Sequence, residues 1–214
     1  MGPEEAESDR IPVLVLFDNK SKGIWALPVT EKGANEATVS WVADTIEEMG
    51  YGGTKVALKS DQEPAMLSLK KAVAVARQAE TCPIESPVRE SKANGAMERA
   101  IRTWQGQMRA LNSCFEQRIG RNIPAGHALL EWLVLWTAGI LNRTRVHTNG
   151  RTTYELVTSH KWAIKMVSFG EVVLFKLATD KTRRHKLESE WQRGIVVGMP
   201  MRITEMLIAN EGGF

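Results

Sequence analysis

The stretch IPVLVLFDNKSKGIWALPV, residues 11–29, contains two apolar runs separated by a short polar segment. Residues 11–18 and 23–29 are rich in Val, Leu and Ile, which is typical of buried β-strands. Between them lies NKSKG, residues 19–23, which is short and ends in glycine and is therefore typical of a tight turn. The stretch predicts a β-hairpin at the start of the fold.

Downstream of the hairpin, helical and strand patterns alternate. Residues 37–49 place apolar side chains at a helical period, and a glycine cluster at 50–53 ends the pattern. Residues 54–61 predict a strand, 63–80 a helix with Pro64 in its first turn, and 81–86 a short strand. This alternation predicts an α/β domain.

The next segment, VRESKANGAMERAIRTWQGQMRAL (residues 88–111), predicts a loop that ends at Asn94-Gly95 and a helix that follows at once. Its apolar residues recur every three or four positions from Met97 onward, which predicts a face that packs on a core. Residues 125–144 are apolar almost all round and predict a buried helix.

The chain changes character after this helix. Residues 152–159 predict a short helix, and residues 170–177, 192–199 and 203–210 predict strands around a basic loop. We therefore place a boundary near residue 160, with a core domain over 1–160 and a small β module over 161–214.

The charge of the chain is unevenly distributed. The net charge is only +3, yet residues 1–100 hold 12 Lys and Arg against 16 Asp and Glu, and residues 101–214 hold 16 against 9. A basic second half indicates a polyanionic partner, most plausibly nucleic acid, although a solvated basic face explains the charge equally well.

Other classes of protein fit the sequence poorly. The sequence contains no run of eighteen apolar residues, so we expect no membrane span. The acidic start MGPEEAESDR differs from a secretory signal, so we expect an intracellular protein. The two cysteines and four scattered histidines do not form a zinc-ligand pattern, so we expect no structural zinc.

Two carboxylates stand where α/β domains place their sites. Asp61 ends a predicted strand and Glu98 lies at the start of a predicted helix, so both can reach the edge of the sheet where strands end. Carboxylates from two elements can share a hard divalent cation such as Mg²⁺. The alternatives are that Asp61 caps the following helix and that Glu98 is a favourable charge at a helix N-terminus.

Several segments together resemble the catalytic core of a retroviral-type integrase, of the kind found in copia-like retrotransposons. LKSDQEPAM (58–66) resembles the segment around the family's second catalytic aspartate, and SKANGAMERAIRTWQGQMRAL (91–111) resembles the segment around its catalytic glutamate. The 36 residues from 62 to 97 that separate Asp61 from Glu98 are close to the family's spacing. LNRT (141–144), TTYEL (152–156), FGEVVLFKL (169–177) and WQRGIVVGM (191–199) resemble downstream segments, although the family usually has Thr-Pro where this chain has Thr152-Thr153.

The resemblance implies a ribonuclease-H-like fold, a mixed sheet flanked by helices. It implies that Asp61 and Glu98 belong to an Asp-Asp-Glu site for Mg²⁺ or Mn²⁺, which performs 3′-end processing and DNA strand transfer by two-metal phosphoryl transfer. It further implies double-stranded DNA as the partner, bound largely without sequence preference, a nuclear location for an active enzyme, and possible homo-oligomers. In this picture Asn94-Gly95 supplies a permissive turn beside the site.

The family's first strand and its aspartate have no counterpart in the chain. Family cores have three strands before the first helix, whereas only the hairpin precedes residues 37–49 here. Asp18 ends a strand and is a low-ranking substitute for the missing ligand, and Asp9 ranks lower still. We therefore expect weak metal binding and impaired catalysis.

Basic and polar residues could contact DNA phosphates. Arg102, Gln105 and Arg109 follow Glu98 along one helical stripe, which could also be a plain solvated face. Further candidates are Lys92, Asn94, Arg183, Arg184 and Lys186.

Two functions follow from these features. The first is an integrase-like polynucleotidyl transferase domain that the missing aspartate impairs. The second is a non-catalytic nucleic-acid-binding or assembly fragment with the same fold. A third and weaker hypothesis is that the chain is another ribonuclease-H-like nuclease, because the LNRT and TTYEL segments argue against it.

Overall fold

The computed structural model describes residues 12–85, 91–176, 190–202 and 205–210, with the backbone alone for 91–94. Its strands are β1 Val13–Phe17, β2 Ile24–Pro28, β3 Val56–Ser60, β4 Thr81–Glu85, β5 Val172–Lys176, β6 Trp191–Gly198 and β7 Leu207–Ala209. Its α-helices are α1 Glu36–Ile46, α2 Pro64–Ala76, α3 Ser91–Ile119, α4 Ala128–Thr144 and α5 Thr153–Thr158. A π-helical turn, Glu47–Tyr51, follows α1 directly.

The predicted hairpin is confirmed. Strands β1 and β2 pair antiparallel, with Val13 opposite Pro28 and Phe17 opposite Ile24. Gly23 directly precedes the return strand and lies against the ring of Trp25, and a Cβ at this position would lie 2.4 Å from that ring. Only glycine fits there without displacing the indole, which explains why the turn ends in this residue.

The described strands form three separate sheets. Besides the hairpin, β3 pairs with β4 in parallel, and β5, β6 and β7 form an antiparallel sheet in that order. The sequence predicted one mixed sheet that lacks a strand. The two ribbons β1–β2 and β3–β4 remain separate because, among the described residues, no strand connects β1 to β3.

Helices cover both faces of β1. Leu14 and Leu16 pack on a cluster formed by α1 and α2, whose buried members are Val42, Ile46, Leu69 and Val73. The alternate residues Val13, Val15 and Phe17 pack on a second cluster, which α3 and α4 build together with β2. A strand that packs on helices with both faces is apolar at every position, as the sequence VLVLF shows.

The C-terminal sheet packs against α4. Val196 and Val197 of β6 are fully buried and join Leu133 and Trp136 of α4 in one cluster. The predicted class, an α/β fold with a small C-terminal β module, is confirmed by these elements. The proposed division near residue 160 stays a prediction.

Two predicted helix ends need correction. Helix α3 begins at Ser91, so Asn94 and Gly95 lie inside its first turns and do not form the expected turn before it. A glycine inside a helix costs about 1 kcal/mol, which the buried face further along α3 can offset. Helix α2 ends at Ala76, because Arg77 adopts an extended conformation and donates hydrogen bonds to the carbonyl oxygens of Tyr51 and Thr54.

None of the helices in the described part of the chain is long and apolar enough to span a membrane.

Candidate functional site

A cleft of about 1180 Å³ lies between β1 and β3. Every residue of both strands lines it, and apolar side chains of α1, α2, α3 and α4 complete its walls. Asp18, Asp61 and Glu98 all line this cleft. The positions of these carboxylates decide which of them can act together.

Asp61 follows the last residue of β3 and is exposed. The N-cap of α2 is Glu63, and no side chain caps this helix, so Asp61 does not act as its cap. The Lys32 amine pairs with Glu63 at 2.9 Å. The hydrogen bond to Glu63 is the main cause that raises the pKa of Lys32, and the charge of Asp61 adds a smaller contribution. Asp61 directly follows β3 and precedes Glu63 by two residues, so it lies at the same end of β3 as the pair of Glu63 with Lys32, a residue of the loop after β2.

Glu98 is the eighth residue of α3, and its side chain is 55% exposed. The helix dipole acts mainly within the first turn, so a charge this far along gains little from it. The guanidinium of Arg102 lies 3.8 Å from the Glu98 carboxylate, one turn further along the helix. Neither helix capping nor the helix dipole therefore explains why these two carboxylates face the cleft.

Asp18 lies in the turn of the hairpin and is engaged there. Its carboxylate accepts hydrogen bonds from the backbone N–H groups of Lys20 at 3.1 Å and Ser21 at 2.8 Å, and from the hydroxyl of Tyr51 at 3.1 Å. Burial raises the pKa of Asp18, but these hydrogen bonds together outweigh burial and leave the pKa below its usual value. The carboxylate thus stabilises the turn in its charged form.

Asp18 and Asp61 lie at opposite ends of the cleft. Tyr51, just before β3, reaches Asp18 at the end of β1, whereas Glu63, just after β3, pairs with Lys32 on the side where β1 begins. Strands β1 and β3 therefore run in opposite directions. A five-residue strand spans about 16 Å, while two metals that act together lie about 3.5–4 Å apart. This geometry argues against Asp18 as the third ligand.

The carboxylates meet only part of what a metal site requires. Asp61 and Glu98 supply the oxygen ligands that Mg²⁺ prefers. Within the described ranges, however, no three His, Cys, Asp or Glu side chains are grouped so that they could hold a metal ion. The pair falls short of the three carboxylates that the resemblance implies.

A polar stripe extends from Glu98 along the exposed side of α3. Arg102, Gln105 and Arg109 are all exposed, as the helical spacing predicted. The side chains of Lys92 and Asn94 lie outside the described residues, and so do Arg183, Arg184 and Lys186.

The LNRT and TTYEL segments have a structural role that their sequence did not reveal. Asn142 is buried; its side chain accepts a hydrogen bond from the Ile24 N–H at 2.9 Å and donates one to the Ile24 carbonyl at 2.7 Å. Thr153 donates a hydrogen bond to the Ser21 carbonyl at 3.0 Å. These contacts fix the hairpin against α4 and α5. A polar residue within an otherwise apolar helix was the signal that could have identified Asn142.

Arg143 joins the core to the C-terminal sheet. Its guanidinium donates hydrogen bonds to the carbonyl oxygens of Met199 at 3.1 Å and Pro200 at 2.6 Å. It also lies over the rings of Trp162 and Tyr154, at 4.5 Å and 5.4 Å from their centroids. Met199 and Pro200 directly follow β6, so these bonds hold the end of β6 to α4.

No protein-family model matches the chain, and no curated protein matches it. Among solved structures, the chain is similar to the catalytic core domain of BIV integrase, with 18% identity over 69% of this chain and 85% of that chain and a TM-score of 0.46. It is also similar to a chain of the simian T-cell lymphotropic virus intasome in complex with PP2A regulatory subunit B56 gamma, with 16% identity over 92% of this chain and 69% of that chain and a TM-score of 0.49. At these values the likeness assigns neither activity nor site residues to this chain.

Proposed function

We propose that the chain is an integrase-type domain of the polynucleotidyl transferase class, which binds double-stranded DNA and has an incomplete set of carboxylates in its cleft. One observation carries the proposal. Asp61 and Glu98 come from different elements and line one cleft, and exposed basic residues continue from Glu98 along α3. The fold would be ribonuclease-H-like, and the described residues place no strand between β1 and β3.

Each residue has a defined task in this proposal. Arg102 and Arg109 would bind backbone phosphates of the duplex, and a phosphate beside Arg102 would compete with its contact to Glu98, which is long at 3.8 Å and largely exposed. Asp61 and Glu98 would be the two carboxylates available to a Mg²⁺ or Mn²⁺ ion. The reaction class would be 3′-end processing and strand transfer.

A second function is favoured by the position of Asp18. Because Asp18 is engaged at the far end of the cleft, the described residues offer two carboxylates where the resemblance implies three. A chain of this kind could serve as a non-catalytic DNA-binding or assembly fragment. Both functions share the DNA surface and differ only in chemistry.

The shared part is tested by the affinity of the chain for a labelled duplex across a salt series. Phosphate contacts release counterions, so the logarithm of the binding constant should fall by about 0.9 for each contact per decade of salt. We expect a steep slope and similar affinity for unrelated duplex sequences. A flat salt dependence, or no binding at low salt, would refute both functions.

A further inference from the structure

The hairpin turn and the segment after α4 together carry a concentration of positive charge. Residues 19–23, NKSKG, and residues 143–151, RTRVHTNGR, hold five Lys and Arg side chains and one histidine, and neither stretch contains Asp or Glu. The two stretches are distant in sequence, so only the fold brings them together. A positive surface of this kind attracts anions.

Hydrogen bonds at Thr153 join the two stretches. The buried Thr153 hydroxyl donates to the Ser21 carbonyl oxygen at 3.0 Å, and Nε2 of His147 lies 2.9 Å from the same hydroxyl. Lys22 directly follows Ser21. Arg145 precedes the β-bridge that pairs residue 146 with residue 152, next to Thr153. The backbones of Lys22 and Arg145 and the ring of His147 therefore lie around one threonine.

The bond to Thr153 decides which nitrogen of His147 is available. The threonine hydroxyl has one proton and donates it to Ser21, so it accepts from the imidazole, and Nε2 carries a proton. Within the described ranges, Nδ1 has no hydrogen-bond partner. In the neutral ring Nδ1 is an acceptor, and protonation turns it into a donor that can bind an anion.

The positive groups around this ring repel one another. Lys22 and Arg145 are exposed, and neither belongs to an ion pair in the described part of the chain. Lys22 adopts a φ of 58°, a left-handed conformation that is uncommon for a residue with a side chain. Burial, followed by the charges of Arg145 and Lys22, lowers the pKa of His147. A bound anion would offset the repulsion among these three groups.

The elements packed against His147 bring more positive than negative charge. Their charged groups are Asp18, Lys20 and Lys22 of the hairpin turn, Arg145 at the end of α4, Arg151 of the same loop and Glu155 of α5. The Asp18 carboxylate accepts hydrogen bonds within the turn and from Tyr51. Arg143 and Tyr154 pack on each other. The two acidic residues therefore leave a net positive charge around the ring.

We propose that Lys22, Arg145 and His147 form a binding site for one phosphate group, to which the ammonium, the guanidinium and Nδ1–H of the imidazolium each donate. Three donors from three segments suit an anion with at least three acceptor oxygens better than a carboxylate, which has two. Inorganic phosphate, a phosphate monoester and a backbone phosphate of nucleic acid share this chemistry. The inference does not depend on the duplex surface proposed for α3.

The site should bind its anion more tightly at low pH. A bound anion favours the imidazolium and so raises the pKa of His147, and protonation strengthens anion binding by the same factor. A rise of about one pKa unit corresponds to about tenfold tighter binding by the protonated form. Phosphate itself titrates with a second pKa of about 6, whereas sulfate stays divalent, so sulfate isolates the contribution of the histidine.

The direct test follows the imidazole signals of the intact chain by NMR during pH titrations in phosphate, sulfate and chloride at equal ionic strength. His147→Gln identifies the signal of His147, and the exposed His160 is the control in the same spectra. We expect phosphate and sulfate to raise the pKa of His147 by about one unit above its value in chloride and to leave His160 unchanged. Equal pKa values of His147 in the three salts, or equal shifts of both histidines, would overturn the proposal.

Two variants locate the anion. Lys22→Gly removes one cation, and glycine adopts the left-handed backbone at this position without strain. Arg145→Gln removes the second cation at an exposed position. Each should weaken sulfate binding at mildly acidic pH by about tenfold, as measured from the His147 signal, because a charge-assisted hydrogen bond is lost. Lys71→Gln, at an exposed position of α2, should bind normally. If both site variants bind sulfate as tightly as the original chain, the anion lies elsewhere and the proposal is wrong.

Competition on the same signal distinguishes the sources of the phosphate. A short duplex without terminal phosphates that displaces sulfate from His147 assigns the site to the backbone of nucleic acid. A duplex that leaves the sulfate response unchanged assigns it to inorganic phosphate or a monoester. Duplex affinity, measured on the same samples without sulfate, reports separately on the proposed function, because its absence leaves the sulfate response in place.

Discussion

The hydroxyl of Tyr51 donates a hydrogen bond to the Asp18 carboxylate at 3.1 Å, which joins the hairpin turn to the segment that leads into β3. The sequence ranked Asp18 ahead of Asp9 as a substitute for the third carboxylate that the resemblance implies, and this bond instead gives Asp18 a structural task. The bond also fixes which ends of β1 and β3 lie together. Stability measurements can therefore test whether Asp18 has this structural role, without any assay of activity.

The first prediction concerns Asp18→Asn. The folded pKa of Asp18 lies below its unfolded value of about 3.9, so the charged carboxylate stabilises the fold above that pH, and the contribution is lost as pH falls through the folded pKa. We expect the variant to lose about 1–2 kcal/mol of unfolding free energy at pH 7 and less of it below pH about 4. Urea denaturation at several pH values measures this.

Asp44 provides the control for this variant. It is exposed on α1, so Asp44→Asn should change stability by less than about 0.5 kcal/mol at every pH. If Asp18→Asn is as stable as the original chain at pH 7, the carboxylate is free for another role and our interpretation of the turn is wrong.

The second prediction concerns the titration of Tyr51. Burial, followed by the charge and the hydrogen bond of Asp18, raises the pKa of Tyr51 to about 12. The neutral phenol therefore stabilises the fold fully below the unfolded pKa of about 10, and this contribution is lost as pH rises through about 12. In a Tyr154→Phe background, Tyr51 is the remaining tyrosine and should stay largely protonated at pH about 11, as followed by ultraviolet absorbance.

The same background shows whether Asp18 causes part of this shift. Adding Asp18→Asn removes the carboxylate charge, so the tyrosine should ionise at a lower pH. An unchanged titration curve would mean that burial alone raises the pKa and that the bond to Asp18 contributes nothing.

The third prediction concerns Asn142. Its amide satisfies both backbone groups of Ile24 in a buried position. Asn142→Ala would leave a donor and an acceptor of β2 without these partners, and we expect a loss of about 2–4 kcal/mol of unfolding free energy. Gln117→Ala, at an exposed position of α3, is the matched amide deletion and should cost less than about 0.5 kcal/mol. Equal stability of the two variants would show that Asn142, in the LNRT segment, does not have the structural role assigned to it.

Local patterns predicted the elements well, whereas long-range contacts had to be observed. The hairpin, α1, β3 and α4 follow from apolar periodicity and from turn residues, because those signals lie within each segment. The opposite directions of β1 and β3 depend on side chains distant in sequence, such as Tyr51 with Asp18, and no local pattern encodes them. The start of α3 was misplaced because Asn94-Gly95 favours a turn locally, yet the helix continues through both residues.

For the site, strand position made Asp18 and Asp61 candidates alike, and only the resemblance ranked Asp18 below Asp61. Asp18 and Asp61 both follow strands, so strand position alone treats them alike. The structure separates them, because Asp18 is engaged by three hydrogen bonds and Asp61 lies at the other end of the cleft. The assignment of Asp61 and Glu98 to catalysis stays a prediction.

The fourth prediction concerns the basic stripe of α3. Arg102→Ala and Arg109→Ala should each weaken duplex binding about equally for all sequences and reduce the salt slope by about 1. Lys71 is exposed on α2, in the layer on the opposite side of β1, so Lys71→Ala is the control and should leave the slope unchanged. A uniform effect of all three variants would indicate general charge attraction rather than a surface on α3.

The last prediction concerns catalysis. Phosphoryl transfer of this class depends on positioning and charge stabilisation by metal ions, and the described part of the chain brings two suitable carboxylates to the cleft. We therefore expect the chain to bind a labelled duplex yet to show no end processing or strand transfer with Mg²⁺ or Mn²⁺. A chain extended at its N-terminus by an apolar strand that ends in aspartate should gain activity, and Glu98→Gln or Asp61→Asn in that extended chain should abolish it. Extension by the same strand with asparagine in place of the aspartate is the control and should stay inactive. The contrary result is robust activity of the original chain that is lost in Asp18→Asn, measured at a temperature low enough for the variant to stay folded. That result would establish Asp18 as a ligand and contradict the position of Asp18 and Asp61 at opposite ends of the cleft.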